Sequence, residues 1–193
     1  DFVRPFDLSV APLMRVKVVN VGEEDNVVLF DIHHIISDGM SQSILTEEFI
    51  KLYNGIELPE LRVQYKDYSE WMAQRDISSQ KEYWVSQFSD EIPVLDMPTD
   101  FARPQEQSFN GATKTCTINA DLSDKIKSLA AKTGATEYMI FLSSVMVLLS
   151  KYSRQDDIVI GSPISGRTHR DTEQMLGMFV NTLAMRGKPE KNK

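Results

Sequence analysis

Val27-Val28-Leu29-Phe30-Asp31-Ile32-His33-His34-Ile35-Ile36-Ser37-Asp38-Gly39 decides how the remainder of the chain is read. Residues 27–32 form an apolar, β-branched run with the length and composition of a buried strand. Two of the three histidines follow it directly, and Gly39 permits a turn before a helical pattern begins. A strand end fixes the backbone of His33 and His34, and the turn leaves room for a substrate beside them. Imidazole has an ordinary pKa of about 6.5, close to physiological pH. A histidine pair satisfied in a core is the plainer reading. The HHxxxDG spacing, which adds a carboxylate and a glycine, favours a chemical site.

Outward from this stretch, Leu13–Val19 alternates partly and Gly22–Asn26 is a polar turn, so residues 13–34 predict an antiparallel hairpin. Residues 1–12, with Pro5 and Pro12, read as an extended lead-in. Downstream, Ser41 is expected to cap a helix with Ile44, Leu45, Phe49 and Leu52 on one face, ended by Asn54-Gly55. Tyr68, Trp71 and Met72 share a helical face and read as packing. Ser78 is expected to cap a helix holding Tyr83, Trp84 and Phe88. Residues 92–112 are broken by Pro93, Pro98, Pro104 and Gly111, as a linker is. A strand near Thr113–Ile118 and a helix from Asp121 or Ser123 to about Ala131 are expected next. Thr136 to about Tyr152 is apolar nearly all round, which predicts a buried helix whose methionines pack. Asp156–Gly161 reads as a strand entering the loop Ser162–Arg170. A short helix over about Thr172–Leu176 precedes Gly177-Met178-Phe179-Val180-Asn181-Thr182-Leu183-Ala184-Met185-Arg186, and Gly187–Lys193 is a polar, frayed tail.

Composition narrows the function. The chain has 193 residues, 41% of them hydrophobic and 25% charged, as in a soluble globular protein. A net charge of −7 disfavours nucleic-acid binding, which needs a basic face. Cys116 is the single cysteine, so no internal disulfide forms and no zinc site rests on cysteines alone, which fits a reducing, cytoplasmic location. No apolar stretch reaches transmembrane length, and no membrane association is expected. The start, Asp1-Phe2-Val3-Arg4, has neither an initiator Met nor an apolar leader and reads as a segment of a longer polypeptide.

The HHxxxDG string is similar to the signature of the condensation domains of non-ribosomal peptide synthetases. That superfamily includes the epimerization domains and has a chloramphenicol acetyltransferase-like fold. Pro5-Phe6-Asp7-Leu8-Ser9-Val10-Ala11-Pro12-Leu13-Met14-Arg15 resembles the family's PFDLxxxPLxR stretch. Tyr65–Trp71 resembles YxDYxxW, Pro98–Pro104 resembles PTDxxRP, and Gly177–Arg186 matches GxFVNTLxxR. These regions occur in family order across essentially the whole chain. The resemblance implies an α/β (α+β), two-lobed fold of mixed sheets flanked by helices, of which this chain is a partial domain. Residues 1–95 would be the C-terminal part of the N-lobe, 96–112 the inter-lobe linker, and 113–193 the N-terminal part of the C-lobe. The family's other motifs would lie before Asp1 and after Lys193.

The implied reaction is an acyltransferase-type condensation. The amine of one carrier-bound residue attacks the acyl or peptidyl thioester on another carrier. Both substrates hang from phosphopantetheine arms, so no intrinsic cofactor or metal is expected. The expected partners are donor and acceptor peptidyl carrier proteins and a neighbouring adenylation domain. By resemblance His34 is catalytic, Gly39 allows close backbone approach and offers an N–H to an oxyanion, and His33 supports the turn. Asp38 is implied to form a structural salt bridge to an arginine, with Arg186 as the preferred partner. A Ser37-His-Asp triad is disfavoured because the nucleophile-elbow pattern is absent. His169 is expected to be solvated or to line a tunnel floor. The Ser-Pro-Ile-Ser-Gly-Arg and Gly-Met-Phe-Val-Asn-Thr strings look most like the subtype joining two L-configured residues. The alternatives are an epimerization domain, a coenzyme A-dependent acetyltransferase and a degenerate carrier-binding platform. The isolated chain is expected to be catalytically poor and prone to oligomerise.

Overall fold

The computed structural model describes residues 2–190. The expected hairpin forms: β1 (Met14–Asn20) pairs antiparallel with β2 (Asn26–Ile32). Its register sets Arg15 opposite Asp31, and Arg15 Nη1 meets Asp31 Oδ2 at 2.7 Å. Val16 faces Phe30 and Val18 faces Val28, the aromatic and β-branched cross-strand pairs that stabilise a ladder.

Helices follow in chain order: α1 (Gly39–Tyr53), α2 (Tyr65–Gln74), α3 (Ser78–Gln87), α4 (Ala120–Thr133) and α5 (Glu137–Ser153). Each start has a local cause. Asp38 caps α1 through the Ser41 N–H, so Ser41 lies inside the first turn and is not the cap expected for it. Asp67 Oδ2 reaches back to the Gln64 N–H before α2 at 2.8 Å. Asn119 caps α4, ahead of the expected Asp121 or Ser123, and Gly134 ends it in the left-handed region at φ 69°. Thr136 caps α5. A second two-stranded sheet joins β3 (Ile158–Ile164) and β4 (Asn181–Gly187).

The chain divides into two compact units. The first holds residues up to Ile77 together with Pro163–Leu183; the second holds Ser78–Ser162 and the residues from Ala184. This division differs from the one read off the sequence at 96–112. Residues 163–183 group with the hairpin, α1 and α2, and the proline-broken stretch 92–112 lies inside the second unit, without helix or strand. In the first unit Ile44, Met175 and Phe179 are buried. In the second, Ile158 and Met146 are buried, and the Met146 sulfur occupies the space where Gly187 would carry a Cβ.

Two expectations fail. Thr113–Ile118 is an exposed, irregular segment that joins neither of the two described sheets. On α5, only Met146 is buried; Tyr138, Met139, Phe141, Val145, Val147 and Leu148 remain exposed. Among the described residues, α5 therefore presents an uncovered apolar face. The expected helix over 172–176 is instead a single 3-10 turn, Arg170–Thr172. No single described helix is long and apolar enough to cross a membrane.

Candidate active site at the strand-to-helix turn

The His33 N–H donates to the Leu13 carbonyl at 3.0 Å, which carries the strand pairing one residue past β2. His33 Nδ1 accepts the Ile35 N–H at 3.1 Å and so caps a 3-10 turn, His34–Ile36. A neutral His33 therefore bears its proton on Nε2. Its ring stands edge-on to Phe6, with centroids 6.0 Å apart. The Arg15 guanidinium lies over Phe6 at 3.7 Å and donates to the Arg4 and Pro5 carbonyls. The lead-in thus buttresses His33. His34 differs: it is exposed, and among the described residues its imidazole makes no hydrogen bond or ion pair. Gly39 opens α1 with no left-handed φ, and a Cβ there would meet nothing within 4 Å.

Asp38 is 1% exposed, and both carboxylate oxygens are engaged. Oδ1 accepts the Ser41 N–H and the Ser41 hydroxyl, each at 2.8 Å, and Arg167 Nη2–H at 3.1 Å; Oδ2 accepts the Phe179 N–H at 3.1 Å. Burial alone would raise this carboxyl's pKa. The Ser41 N–H and hydroxyl, the Phe179 N–H and Arg167 outweigh burial and hold it at about 2. The carboxylate faces neither histidine, and the Ser37 hydroxyl turns to the Asp38 carbonyl at 3.4 Å. The arrangement contains no Ser-His-Asp relay.

The expected partnership of Asp38 with Arg186 is corrected. Asp38 pairs with Arg167, whose side chain is 2% exposed. Arg167 also donates to the Ser41 hydroxyl at 2.9 Å and to the Thr172 and Met175 carbonyls, and its guanidinium lies 4.0 Å from the centre of the Phe179 ring. Arg186 belongs to the second unit. There it makes a bidentate pair with Asp157, at 2.9 and 2.5 Å, and binds Asp90 at 2.6 Å and the Gln87 carbonyl at 2.8 Å. Those carboxylates push the Arg186 pKa up, and Arg186 lowers those of Asp90 and Asp157.

Residues 177–179 run between α1 and α2 without regular structure, yet side chains satisfy their backbone. The Ser41 hydroxyl accepts the Gly177 N–H at 3.0 Å and lies 2.8 Å from the Gly177 carbonyl; the Tyr65 hydroxyl donates to the Met178 carbonyl at 2.7 Å. Tyr65 fills the space of a Gly177 Cβ, so only glycine fits there. Gly166, at φ 66°, is needed for the same kind of reason: a Cβ would run into the Phe179 carbonyl. Tyr65 and Tyr68 pack on Phe179, with centroids 5.2 and 4.8 Å away, which bears out the packing role expected of Tyr68, whereas Trp71 and Met72 remain exposed.

His169 is exposed, with Nδ1 3.3 Å from the Asp171 N–H, and borders a cleft of about 300 Å³ with Tyr68, Trp71 and Met175. Sequence reasoning missed Arg167, Tyr65 and the second role of Ser41. The sequence carried a partial signal, an aspartate at the N-cap position of α1; its burial, which makes a cation partner favourable, is visible only in the structure.

A family model described as Condensation domain matches residues 1–193. Gramicidin S synthase 2 of Brevibacillus brevis is 53% identical over all of this chain, which spans 4% of that protein's length. Bacitracin synthase 3 of Bacillus licheniformis is 52% identical, again over all of this chain, which spans 3% of its length. A solved four-domain nonribosomal peptide synthetase bound to AMP and glycine matches 98% of this chain with a TM-score of 0.85 and 26% identity, over 15% of its own length. The α/β, chloramphenicol acetyltransferase-like fold expected from the motifs is thereby shown.

Proposed function

This chain belongs to the condensation domain family, and we propose that it carries the reaction centre for peptide-bond formation between carrier-bound thioesters in nonribosomal peptide synthesis. One observation carries this reading: at a single turn His33 is tied down through Nδ1 and Asp38 through both oxygens, while His34 is exposed and a Gly39 Cβ would meet open space. An exposed imidazole beside a glycine with empty space at its Cβ leaves both open to a substrate.

An α-amine, with a pKa of about 7.7–8.0, is partly neutral at pH 7 and attacks the donor thioester without a strong base. Attack forms the C–N bond and gives an ammonium beside an oxyanion. His34 accepts the ammonium proton or orients the amine. The Gly39 N–H, at the positive end of the 15-residue helix α1, stabilises the oxyanion. Collapse breaks the C–S bond, and the proton leaves with the thiol. The donor and acceptor substrates arrive on phosphopantetheine arms of carrier proteins, and an adenylation domain loads them. The Ser162–Arg167 and Gly177–Thr182 strings support the type joining two L-configured residues. The isolated chain, with its exposed apolar faces, is expected to turn over poorly.

The test uses the whole domain with loaded donor and acceptor carriers, followed by intact mass. His34→Ala should lower dipeptide formation by about 10²–10⁴-fold, the usual span of proton-transfer catalysis. Gly39→Ala should leave unfolding unchanged and lower the rate, because its Cβ enters empty space. Deuterium uptake at Cα without dipeptide would instead mark an epimerization centre, and carrier binding without either reaction a platform.

A further inference from the structure

We propose that Ser41 is a positioning residue for this centre: its hydroxyl clamps the Gly177 peptide to the Asp38 carboxylate and so holds the His34–Gly39 turn in its reactive geometry. The inference rests on the peptide-bond reading above and adds a residue to it.

Ser41 is 1% exposed. A hydroxyl has one proton and two lone pairs. Here the lone pairs take the Gly177 N–H at 3.0 Å and Arg167 Nη2–H at 2.9 Å. The proton lies between the Asp38 carboxylate and the Gly177 carbonyl, each 2.8 Å away. The hydroxyl is therefore saturated, and no water is needed to complete it. A helix cap explains only the Asp38 contact, and that cap already forms through the Ser41 backbone N–H. The remaining bonds all lead to residues far along the chain.

Gly177 is gripped from two sides. Ser41 takes both its N–H and its carbonyl, and the Tyr65 ring closes on its Cα. Two residues on, the Phe179 N–H returns to the other oxygen of Asp38. Asp38 immediately precedes Gly39 and closes the turn that begins at His34. Any slack at Gly177 is thus passed through Ser41 and Asp38 to the groups that meet substrate. A shift of about 1 Å in such groups costs about 10²-fold in rate.

The experiment compares wild type and Ser41→Ala in the full synthetase module, well below the unfolding temperature. It measures kcat, the KM for loaded acceptor carrier, and the amide exchange rates of Gly177 and Phe179. Ser41→Ala should lower kcat by about 10²-fold, leave KM unchanged and speed Gly177 exchange at least tenfold. Ser41→Cys, which keeps a weak donor of similar shape, should fall between the two and serves as the test variant if Ser41→Ala fails to fold. Wild-type kcat, or a raised KM with kcat intact, overturns the proposal. So does a fall in kcat with Gly177 exchange unchanged, since Ser41 would then act by another route. If wild type forms no dipeptide, the functional reading falls, and the exchange rates alone decide whether Ser41 holds Gly177.

Discussion

Arg167 and Arg186 each grip an aspartate, one in each unit, and their surroundings differ. The Arg167 and Asp38 side chains are 2% and 1% exposed, and every atom of Asp38 that can accept is matched. Arg186 is 10% exposed and shares itself between Asp157 and Asp90, the latter 58% exposed, with Lys188 nearby. The Arg186 cluster has the shorter ion pairs, but water and salt compete for it. The Arg167 pair has been removed from water, so losing either partner strands the other. Distance ranks these clusters one way and burial the other, and burial governs the energy.

The largest expected effect follows from removing a buried partner. In the intact domain, Asp38→Ala should cost about 3–5 kcal/mol of unfolding free energy, read from denaturant midpoints. It leaves Arg167 charged and unpaired beside the Thr172 and Met175 carbonyls. A loss below about 1 kcal/mol, the range of exposed pairs, would erase the distinction between the clusters.

A second effect is expected in acid. The Asp38 carboxyl lies below its ordinary 3.8, at about 2. The native state therefore binds fewer protons than the unfolded chain in that window, and stability rises with pH there. The contribution, about 2 kcal/mol, is complete above pH 4 and is lost as the pH falls from about 4 to 2. Asp38→Asn should flatten this limb of the stability curve. Asp90 and Asp157 are lowered too and act in the same direction, so part of the limb should survive.

The smallest effects belong to the second cluster. Arg186→Ala should lower the unfolding midpoint less than Asp38→Ala does, and Asp90→Ala less again. Adding 1 M salt should shrink the Asp90→Ala difference towards zero while leaving that of Asp38→Ala nearly intact, because screening reaches exposed charges and not buried ones. Equal salt sensitivity in the two variants would contradict the burial argument.

The hairpin was legible because alternation from Leu13 to Val19 and the run before His33 are local signals, and pairing needs only the turn between them. That Asp38 pairs with an arginine and that His33 supports the turn was legible by resemblance. The partner of Asp38 was not: Arg167, Arg170 and Arg186 all lie downstream, and the choice depends on Gly166 turning the loop at φ 66° so that Arg167 enters the core. The burial of α5 was misread because apolar content records what a helix would cover, and not whether a covering surface exists in the same chain. The strand expected at Thr113–Ile118 does not form either: the segment is exposed and joins neither described sheet.

The grouping of residues 163–183 with the first 77 also bears on how this domain can be recombined with a related one. A chimaera spliced in the proline-broken stretch 92–112 takes Asp38, Ser41 and Tyr65 from one parent and Arg167, Gly177 and Phe179 from the other. The crossover looks harmless on the linear map, yet it asks two parents to share one lock. Exchanging residues up to Ile77 together with Pro163–Leu183 moves lock and key as a set.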